Sequence, residues 1–263
     1  MKYVLVTGAC GGMGKAATLA LRDAGYFVFA LDRTAFEDNE HILPIVADIT
    51  AEESVSQAFD QVRGATDHLD AIIHFAGMYC LDSLVEMDNK QFNEIFSVNV
   101  FGACRVNRMF LSMLKKGSRI IMTTSELATL DPLPFTGIYA ITKAALDKYA
   151  YSLRMELQLL GISVIVLRPG AVKTRMLAVS TDALDKFCLN TKLYACNAKR
   201  FRNVVDRVEA RNVRPERIAQ KTVKILGKKR ARYAYSVNRN PLLVLLNILP
   251  DRVQTWIIRC VLK

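Results

Sequence analysis

The chain has 263 residues, of which 51% are hydrophobic, and its formal net charge at pH 7 is +11. This length and apolar content allow one large domain with a substantial core, or two small domains. No apolar stretch reaches the roughly 20 residues that a membrane-spanning helix needs. The apolar run after Met1 is too short for a signal peptide, so we expect none.

The basic residues, cysteines and histidines argue against two further classes of protein. Lysines and arginines are concentrated in the last third of the chain without a nucleic-acid motif. We interpret them as a solvated basic face and expect no nucleic-acid partner. The six cysteines and three histidines show no metal-ligand spacing, which argues against a zinc enzyme, and we expect no metal site. Cysteines without a CxxC pattern are typical of a reducing compartment, so we expect a cytoplasmic protein, soluble or attached to a membrane surface.

The beginning of the chain reads as a strand, a glycine-rich turn, a helix and a second strand. Residues 3–7 are a short apolar run rich in β-formers, which is typical of a strand buried on both faces. The glycines of residues 8–14 follow, then a helical pattern over 15–24, and then a strand over 26–31 that ends at Asp32. This order predicts a βαβ unit with a glycine-rich first turn.

Each part of this unit has a physical role in binding a dinucleotide. Gly8, Gly12 and Gly14 let the backbone turn tightly and approach a pyrophosphate, and the start of the helix offers N–H groups to the phosphates. The carboxylate of Asp32 is placed to accept hydrogen bonds from the adenosine ribose hydroxyls and to repel a 2′-phosphate. The pattern therefore favours NAD over NADP, although the neighbouring Arg33 is a cation that weakens this inference.

Strands and helices alternate through the rest of the chain. We predict further strands over 42–47, 69–75, 119–124, 162–167 and 232–237, and helices after Thr50 and over 83–114, 139–160 and 216–226. This alternation predicts an α/β fold, a doubly wound Rossmann-like parallel sheet of about seven strands with helices on both faces. No linker or repeat interrupts the pattern, so we expect a single domain over residues 1–263.

Tyr139 and Lys143 stand four residues apart at the head of a predicted helix. This spacing puts both side chains on one helix face, about a turn apart. A tyrosine has an ordinary pKa of ~10, and a neighbouring cation favours the phenolate and lowers that pKa. The two residues are therefore a candidate general acid and base, and a surface pair on an amphipathic helix is the alternative.

Six motifs follow one another in a fixed order between residues 3 and 175. They are Thr7-Gly8-x-x-x-Gly12-x-Gly14, Asp48, Asn99, Ser125, Tyr139-x-x-x-Lys143 and Pro169-Gly170-x-x-x-Thr174. In identity, order and spacing they resemble the motifs of the short-chain dehydrogenase/reductase family. The C-terminal tail is similar to the extension found in the hydroxysteroid and retinol dehydrogenase branch of that family.

The resemblance implies an oxidoreductase that transfers a hydride between the nicotinamide ring of NAD and a secondary alcohol or carbonyl. It implies that Tyr139 exchanges the hydroxyl proton, and that Lys143 lowers its pKa and binds the nicotinamide ribose. Ser125 would stabilise charge on the substrate oxygen, and Asn99 would hold a water that links Lys143 to solvent. The implied cofactor contacts are Gly8, Gly12, Met13, Gly14, Asp32, Arg33, Asp48, Ile49, Ala76, Gly77, Tyr139, Lys143, Pro169, Gly170, Val172 and Thr174.

The chain departs from the family pattern at two places. Where the family usually has Asn-Asn-Ala-Gly, this chain has His74 followed by Phe-Ala-Gly, and we expect a packed structural histidine. The interval from Ser125 to Tyr139 is one residue longer than the commonest family spacing. This difference leaves Thr124 as a second candidate for the role of the serine.

Two segments without motifs are expected to determine which substrate is bound. Residues 175–215 correspond to the variable substrate-loop region of the family, and we expect them to line a pocket or to pack as a lid. The segment 240–263 is apolar on more than one face, with basic residues interspersed. We expect it to cover a hydrophobic substrate site, and a membrane surface or a subunit contact is the alternative. We also expect a homodimer or homotetramer.

Our leading hypothesis is hydride transfer to or from a hydrophobic small molecule that resembles a steroid or a retinoid. A 3-oxoacyl or other small-carbonyl reductase keeps the chemistry and changes the substrate, but Asp32 disfavours the NADPH that such reductases usually employ. A non-catalytic protein that senses NAD(H) is an alternative of another class. It would have no need for the four predicted catalytic side chains together.

Overall fold

One sheet of parallel strands forms the centre of the molecule. The computed structural model describes residues 1–37, 39–209 and 211–263. Its strands are β1 (Lys2–Thr7), β2 (Tyr26–Asp32), β3 (Ile42–Val46), β4 (Leu69–His74), β5 (Leu114–Thr123), β6 (Ser163–Pro169) and β7 (Ala234–Val237). They lie in the order β3-β2-β1-β4-β5-β6-β7, and every neighbouring pair is parallel. The order reverses between β1 and β4, and sheets of this kind bind ligands beyond the carboxyl ends of such strands.

Helices follow the strands and cover both faces of the sheet. The α-helices are α1 (Gly12–Asp23), α2 (Glu52–Ala65), α3 (Asn89–Phe96), α4 (Ala103–Phe110), α5 (Gly137–Leu157), α6 (Arg175–Asn190), α7 (Ala195–Glu209), α8 (Pro215–Leu226), α9 (Pro241–Leu246) and α10 (Asp251–Leu262). α1 packs beside α8, and α2 packs beside α4 on the opposite face. The predicted Rossmann-like fold is confirmed. Within the described part of the chain, none of the helices is long and apolar enough to cross a membrane.

The strand side chains point alternately to the two faces of the sheet, as a period of two requires. Val4 and Val6 of β1 belong to the apolar core under α1 and α8, whereas Leu5 belongs to the core under α2 and α4. All three side chains are fully buried. Because both faces of the central strands are covered, these strands read in the sequence as continuous apolar runs rather than as an alternation.

The helix predicted over 83–114 is wrong in three respects. The structure begins it at Asn89, after Asp88 caps it by accepting a hydrogen bond from a backbone N–H. A π-helical turn over Ser97–Gly102 interrupts it between α3 and α4. Residues 115–117, predicted to end the helix, lie instead in β5. A π turn inserts one extra residue without removing the apolar pattern, so the sequence alone reads as one long helix.

A smaller apolar cluster lies beside the sheet. It is formed by α6, α7 and α10, and its buried members include Leu184, Phe187, Phe201 and Leu262. The side-chain amide of Asn197 in α7 donates a hydrogen bond to the carbonyl of Leu262 at 2.7 Å. The variable segment and the C-terminal tail are therefore packed together, and they form a layer next to the carboxyl edge of the sheet.

Candidate active site

The glycine-rich turn between β1 and α1 leaves the start of a helix open to an anion. Gly8 has φ +70°, and a Cβ atom there would lie 2.4 Å from the backbone nitrogen of Ala76. A Cβ atom at Gly14 would lie 1.9 Å from the Gly8 carbonyl oxygen, so the turn closes only with glycine. α1 begins at Gly12 with no side-chain cap and no acidic residue in its first turn. Its positive dipole end and N–H groups therefore fit a pyrophosphate.

Two carboxylates predicted to contact adenosine follow β2 and β3. Asp32 ends β2 and accepts a hydrogen bond from the backbone N–H of Cys10, in the glycine-rich turn, at 2.9 Å. Asp48 accepts hydrogen bonds from the backbone N–H and the hydroxyl of Thr50 at 2.8 and 2.7 Å. Burial opposes ionisation of Asp48, but these hydrogen bonds hold its pKa below the ordinary value. Both carboxylates lie at the carboxyl edge of the sheet, where the dinucleotide is expected.

The other predicted cofactor contacts lie along the same edge. Ile49 follows β3, and its carbonyl accepts a hydrogen bond from the Arg105 guanidinium at 2.6 Å. Arg33 follows β2 with an exposed side chain, and Ala76 follows β4. One cleft is lined by Met13, Gly77, Tyr139, Lys143, Pro169, Gly170, Val172 and Thr174. The structure therefore brings the predicted nicotinamide contacts and the predicted catalytic pair to one place.

Tyr139 and Lys143 lie in the first turns of α5. Lys143 is buried, its ammonium lies 5.7 Å from the centroid of the Tyr139 ring, and it donates a hydrogen bond to the Thr123 carbonyl at 3.3 Å. Burial raises the pKa of Tyr139 above its ordinary value and lowers the pKa of Lys143 to about 8. The predicted lowering of the Tyr139 pKa is therefore wrong for the protein alone. Loss of hydration disfavours both charged forms, and at this distance it outweighs their attraction.

Ser125 follows β5 and reaches Tyr139. The Ser125 hydroxyl favours the ionised form of the Tyr139 phenol, which opposes the effect of burial on the tyrosine pKa. Thr124, the second candidate for the role of the serine, donates its hydroxyl hydrogen to Asp147 Oδ1 at 3.1 Å. Asp147 also accepts two hydrogen bonds from the Arg168 guanidinium, at 2.9 and 2.7 Å. Ser125 therefore contacts the tyrosine, whereas Thr124 belongs to a separate ionic network.

Asn99 lies in the π turn and is held on three sides. Its side-chain oxygen accepts a hydrogen bond from the Met78 backbone N–H at 2.8 Å. Its amide donates to the Met78 carbonyl and to the Thr142 hydroxyl, each at 3.0 Å. A Cβ atom on Gly77 would lie 3.2 Å from Asn99 Oδ1 and 3.4 Å from Lys143 Nζ, so these two side chains meet at the glycine. A π turn often marks a functional position in a helix.

The cleft beside Tyr139 has a volume of about 160 Å³ and an apolar far wall. Leu127 and Leu133 line it from the loop after β5, and Met176 and Val205 line it from α6 and α7. Leu243 of α9 closes it from the C-terminal segment. The arrangement places polar groups able to transfer a proton on one side of the cleft and apolar side chains on the other.

A model of the short chain dehydrogenase family matches residues 2–185, which is more than half of the chain and includes every candidate catalytic residue. The chain belongs to the short-chain dehydrogenase/reductase family. The predicted family resemblance is confirmed, and the fold and the order of the motifs are those of this oxidoreductase family.

Members of the family from several organisms are similar to the chain. It is 30% identical over 254 residues to a probable short-chain type dehydrogenase/reductase, VdlC, of Helicobacter pylori, covering 94% of this chain and 93% of VdlC. It is 24% identical over 264 residues to a 3-ketodihydrosphingosine reductase of Bacteroides thetaiotaomicron, covering 98% and 97%. It is 32% identical over 199 residues to estradiol 17-beta-dehydrogenase 2 of Mus musculus, covering 70% and 51%.

A solved structure of the family shares the fold over nearly the whole chain. The short-chain dehydrogenase from Streptomyces avermitilis superposes with a TM-score of 0.79, covering 98% of this chain and 95% of that chain, at 20% sequence identity. This likeness therefore shows the fold alone.

Sequence reasoning missed several residues around the catalytic pair. The Tyr79 ring packs against the Tyr139 ring with centroids 4.9 Å apart, and Thr142 holds Asn99. Glu126 is buried, and its carboxylate accepts a hydrogen bond from the Asn240 backbone N–H at 2.7 Å. Burial raises the pKa of the Glu126 carboxyl above its ordinary value. In the sequence, Tyr79 comes two residues after Gly77 and Glu126 directly follows Ser125. This closeness to predicted site residues was the signal that could have identified them.

His74 replaces the first asparagine of the usual family motif and is almost fully buried. Its Nε2 donates a hydrogen bond to the side-chain oxygen of Asn107 at 2.9 Å, and its Nδ1 lies 3.5 Å from the Thr7 hydroxyl. Burial lowers the pKa of His74 to about 4, so the ring is neutral at physiological pH. It is a packed structural histidine, as predicted, which ties β4 to β1 and α4.

Proposed function

We propose that this protein is an NAD-dependent dehydrogenase that transfers a hydride between NAD(H) and a secondary alcohol or ketone of a hydrophobic small molecule. The family consists of oxidoreductases that act on CH–OH groups with NAD(P). The observation that carries the proposal is the meeting of Tyr139, Lys143 and Ser125 at one cleft beside the glycine-rich turn. A protein that only senses NAD(H) would need the turn but not these three side chains.

Each of the four predicted catalytic side chains has its own role in the reaction. Bound NAD supplies the hydride acceptor, and its positively charged ring favours the Tyr139 phenolate. Tyr139 takes the hydroxyl proton of the substrate during oxidation and returns it during reduction. The Ser125 hydroxyl donates a hydrogen bond to the substrate oxygen and stabilises the charge that develops there. Lys143, with a pKa of about 8, exchanges protons near neutral pH, and Asn99 holds the water that links it to solvent.

The preference for NAD is supported by the charges around the adenosine site. Asp32 is held beside the glycine-rich turn by its hydrogen bond from Cys10, where a 2′-phosphate would meet a carboxylate. Lys15, the cation in the first turn of α1, forms an ion pair with Glu37 at 2.7 Å. We therefore expect that the positive charge of Arg33 is not enough to cancel the repulsion between the Asp32 carboxylate and the 2′-phosphate of NADP.

The substrate class is supported by the apolar wall of the cleft. Its leucine, methionine and valine side chains suit a steroid- or retinoid-like molecule, and Leu243 supports the interpretation of the C-terminal segment as a cover of the substrate site. Estradiol and 3-ketodihydrosphingosine, the compounds named in two of the similar proteins, are both hydrophobic. A small-carbonyl or 3-oxoacyl reductase would not need so much apolar surface.

A second copy of the chain is the macromolecular partner that we propose. Phe101, Tyr151 and Met155 are exposed apolar side chains on the outer side of the π turn and α5. Tyr151 and Met155 are one helical turn apart and share a face. Phe101 and Leu153 line a groove between these helices, which suits an isologous contact between two copies. All six cysteines are free, which supports the cytosol as the compartment.

The cofactor preference is tested by fluorescence titration of the purified protein with NADH and with NADPH. We expect NADH to bind at least about tenfold more tightly, because a 2′-phosphate would face the carboxylate of Asp32. The Asp32→Asn variant should lose most of this preference, whereas Asp23→Asn, at the far end of α1, should keep it. Tighter binding of NADPH by the unchanged protein would refute the NAD assignment.

The chemistry is tested by replacing Tyr139 with phenylalanine and measuring turnover on a panel of steroid, retinoid, fatty and sugar alcohols. We expect kcat to fall by about 10³-fold or more, because no general base remains, while the affinity for NADH stays nearly constant. The matched control is Tyr151→Phe, an exposed tyrosine on the same helix, which should retain activity. Unchanged turnover in the Tyr139→Phe variant would remove the mechanism.

A further inference from the structure

The C-terminal segment turns one face to the cleft and the opposite face to solvent. Leu243 of α9 lines the cleft. Just before this helix, the backbone N–H of Asn240 donates a hydrogen bond to the buried carboxylate of Glu126. α10 packs on α7 through Ile258 and Leu262. Because the inner face is fixed to the rest of the protein, the outer face is a defined surface rather than a loose tail.

The outer face of this segment is apolar. Leu242, Leu245 and Ile248 stand three residues apart and are 61%, 59% and 73% exposed. Trp256 of α10 is 64% exposed. The spacing of three puts Leu242 and Leu245 on one side of α9. Single exposed leucines are ordinary on a soluble protein, but large apolar side chains gathered on two consecutive helices mark an interaction surface.

Positive charge borders this apolar surface. At 100° per residue, Arg252 projects within about 40° of Trp256 around the axis of α10, and Arg259 projects within about 60°. Lys263 follows directly after the last residue of this helix. All three basic side chains are exposed. Asp251 is the acidic residue of this stretch, so three positive charges and one negative charge leave residues 251–263 with a net side-chain charge of +2.

We propose that the outer face of α9 and α10 binds the surface of an anionic phospholipid bilayer. Leucine, isoleucine and tryptophan side chains enter the boundary between headgroups and acyl chains, where an indole ring is favoured. The neighbouring basic side chains meet the anionic headgroups. A second copy of this chain is disfavoured as the occupant. An isologous contact would bring Arg252, Arg259 and Lys263 of the two copies together.

Binding of a bilayer would place the lipid against the cover of the cleft. A hydrophobic substrate dissolved in that bilayer would then reach Leu243 and Tyr139 over a short distance, without first dispersing in water. This delivery of substrate rests on the proposed function, whereas the binding of lipid does not.

Trp256 makes the test specific, because it is the single tryptophan of the chain. The full chain is mixed with vesicles of phosphatidylcholine alone, or of phosphatidylcholine with phosphatidylserine. We expect the tryptophan emission to move to shorter wavelength and the protein to co-sediment with the anionic vesicles. Binding to them should be at least about tenfold tighter than to the neutral vesicles, and added salt should weaken it.

Variants distinguish binding through this surface from non-specific binding of exposed leucines to vesicles. The combined Leu242→Ser, Leu245→Ser and Ile248→Ser variant should bind anionic vesicles at least about tenfold more weakly. The combined Leu159→Ser and Leu160→Ser variant changes exposed leucines before β6, at the opposite edge of the sheet, and should bind like the unchanged protein. Circular dichroism checks that each variant folds.

If the triple variant does not fold, the charge reversal of Arg252→Glu with Lys263→Glu tests the same surface and should abolish binding to anionic vesicles. The proposal is overturned if the unchanged protein does not co-sediment with them, or if the Leu159→Ser, Leu160→Ser control loses binding equally. It is also overturned if the emission shift occurs without lipid and grows with protein concentration, which would identify a second copy as the occupant. None of these measurements uses a substrate, so their failure leaves the proposed chemistry standing.

Discussion

Lys143 carries its charge where burial disfavours it. Its pKa is lowered from 10.5 to about 8 in the folded protein, because the ammonium is removed from water. Between these two values the unfolded chain binds more protons than the folded chain, so this group makes stability rise with pH across that range. Below pH 8, burial of the charged Lys143 ammonium lowers the stability by its full amount. The buried phenol of Tyr139 has the opposite effect, because its raised pKa makes stability fall as the pH rises past 10.

Replacing Lys143 with methionine should therefore stabilise the protein while it abolishes turnover. One pKa unit corresponds to ~1.4 kcal/mol, so we expect the free energy of unfolding at pH 7 to rise by at most about 3–4 kcal/mol. The gain should shrink as the pH is raised from 8 towards 10.5, and urea unfolding at several pH values measures it. Lys148→Met, which changes an exposed lysine of the same helix, should show no such pH dependence. A loss of stability in Lys143→Met at every pH would contradict this account.

The elements around the site are joined by an ion pair between α5 and β6. Asp147 and Arg168 form two hydrogen bonds with each other, and both side chains are mostly shielded from water. The hydroxyl of Thr124 also donates to Asp147, so the pair fixes the residue next to Ser125. Removing one partner of such a pair leaves the other as an uncompensated charge.

We expect Asp147→Ala to lower the free energy of unfolding by about 3 kcal/mol, because the Arg168 guanidinium loses its partner. Chemical denaturation measures the change. The comparison variant is Glu37→Ala, which removes an exposed ion pair with Lys15 and should leave the free energy of unfolding nearly unchanged. Equal effects of the two substitutions would show that the pair between α5 and β6 has no special role.

The sequence predicts the sheet and the site to different degrees. The strands and the first βαβ unit were predictable, because runs such as that of β1 are apolar on both faces and glycines punctuate them. The π turn and the contact between Tyr79 and Tyr139 were not, because they arise from packing between distant elements. The same holds for Leu243 in the cleft and for the pKa of Tyr139, since burial depends on the whole fold rather than on the neighbouring lysine.

At the scale of the whole molecule, two exposed apolar surfaces lie in different places. One belongs to the π turn and α5, and the other to α9 and α10. We expect the first to join two copies, because its groove is lined by Arg105 and Arg108 together with Glu156, charges of both signs that an isologous contact can pair. The second carries basic residues with a single acidic residue. The two surfaces therefore predict different partners.

The Phe101→Glu variant should shift the protein from a dimer or tetramer towards the monomer, because two copies of the new carboxylate would face each other across an isologous contact. Size-exclusion chromatography with light scattering measures the mass. Leu245→Glu, which introduces the same charge on the outer face of α9, should leave the mass unchanged. A monomeric unchanged protein at micromolar concentration would refute this assignment of the subunit contact.

The π turn over Ser97–Gly102 also limits which changes of chain length the protein tolerates. Deleting one residue there would turn the segment into regular α-helix and leave α3 and α4 in nearly the same relative orientation, because a π turn holds one residue more than the α-helical turn it replaces. The residues inside the turn would shift, so Asn99 would leave Met78 and Thr142 while Val106 and Phe110 kept their places in the core. Surface loops accept insertions and deletions readily. In this helix, the number of residues is as important to the site as their identity.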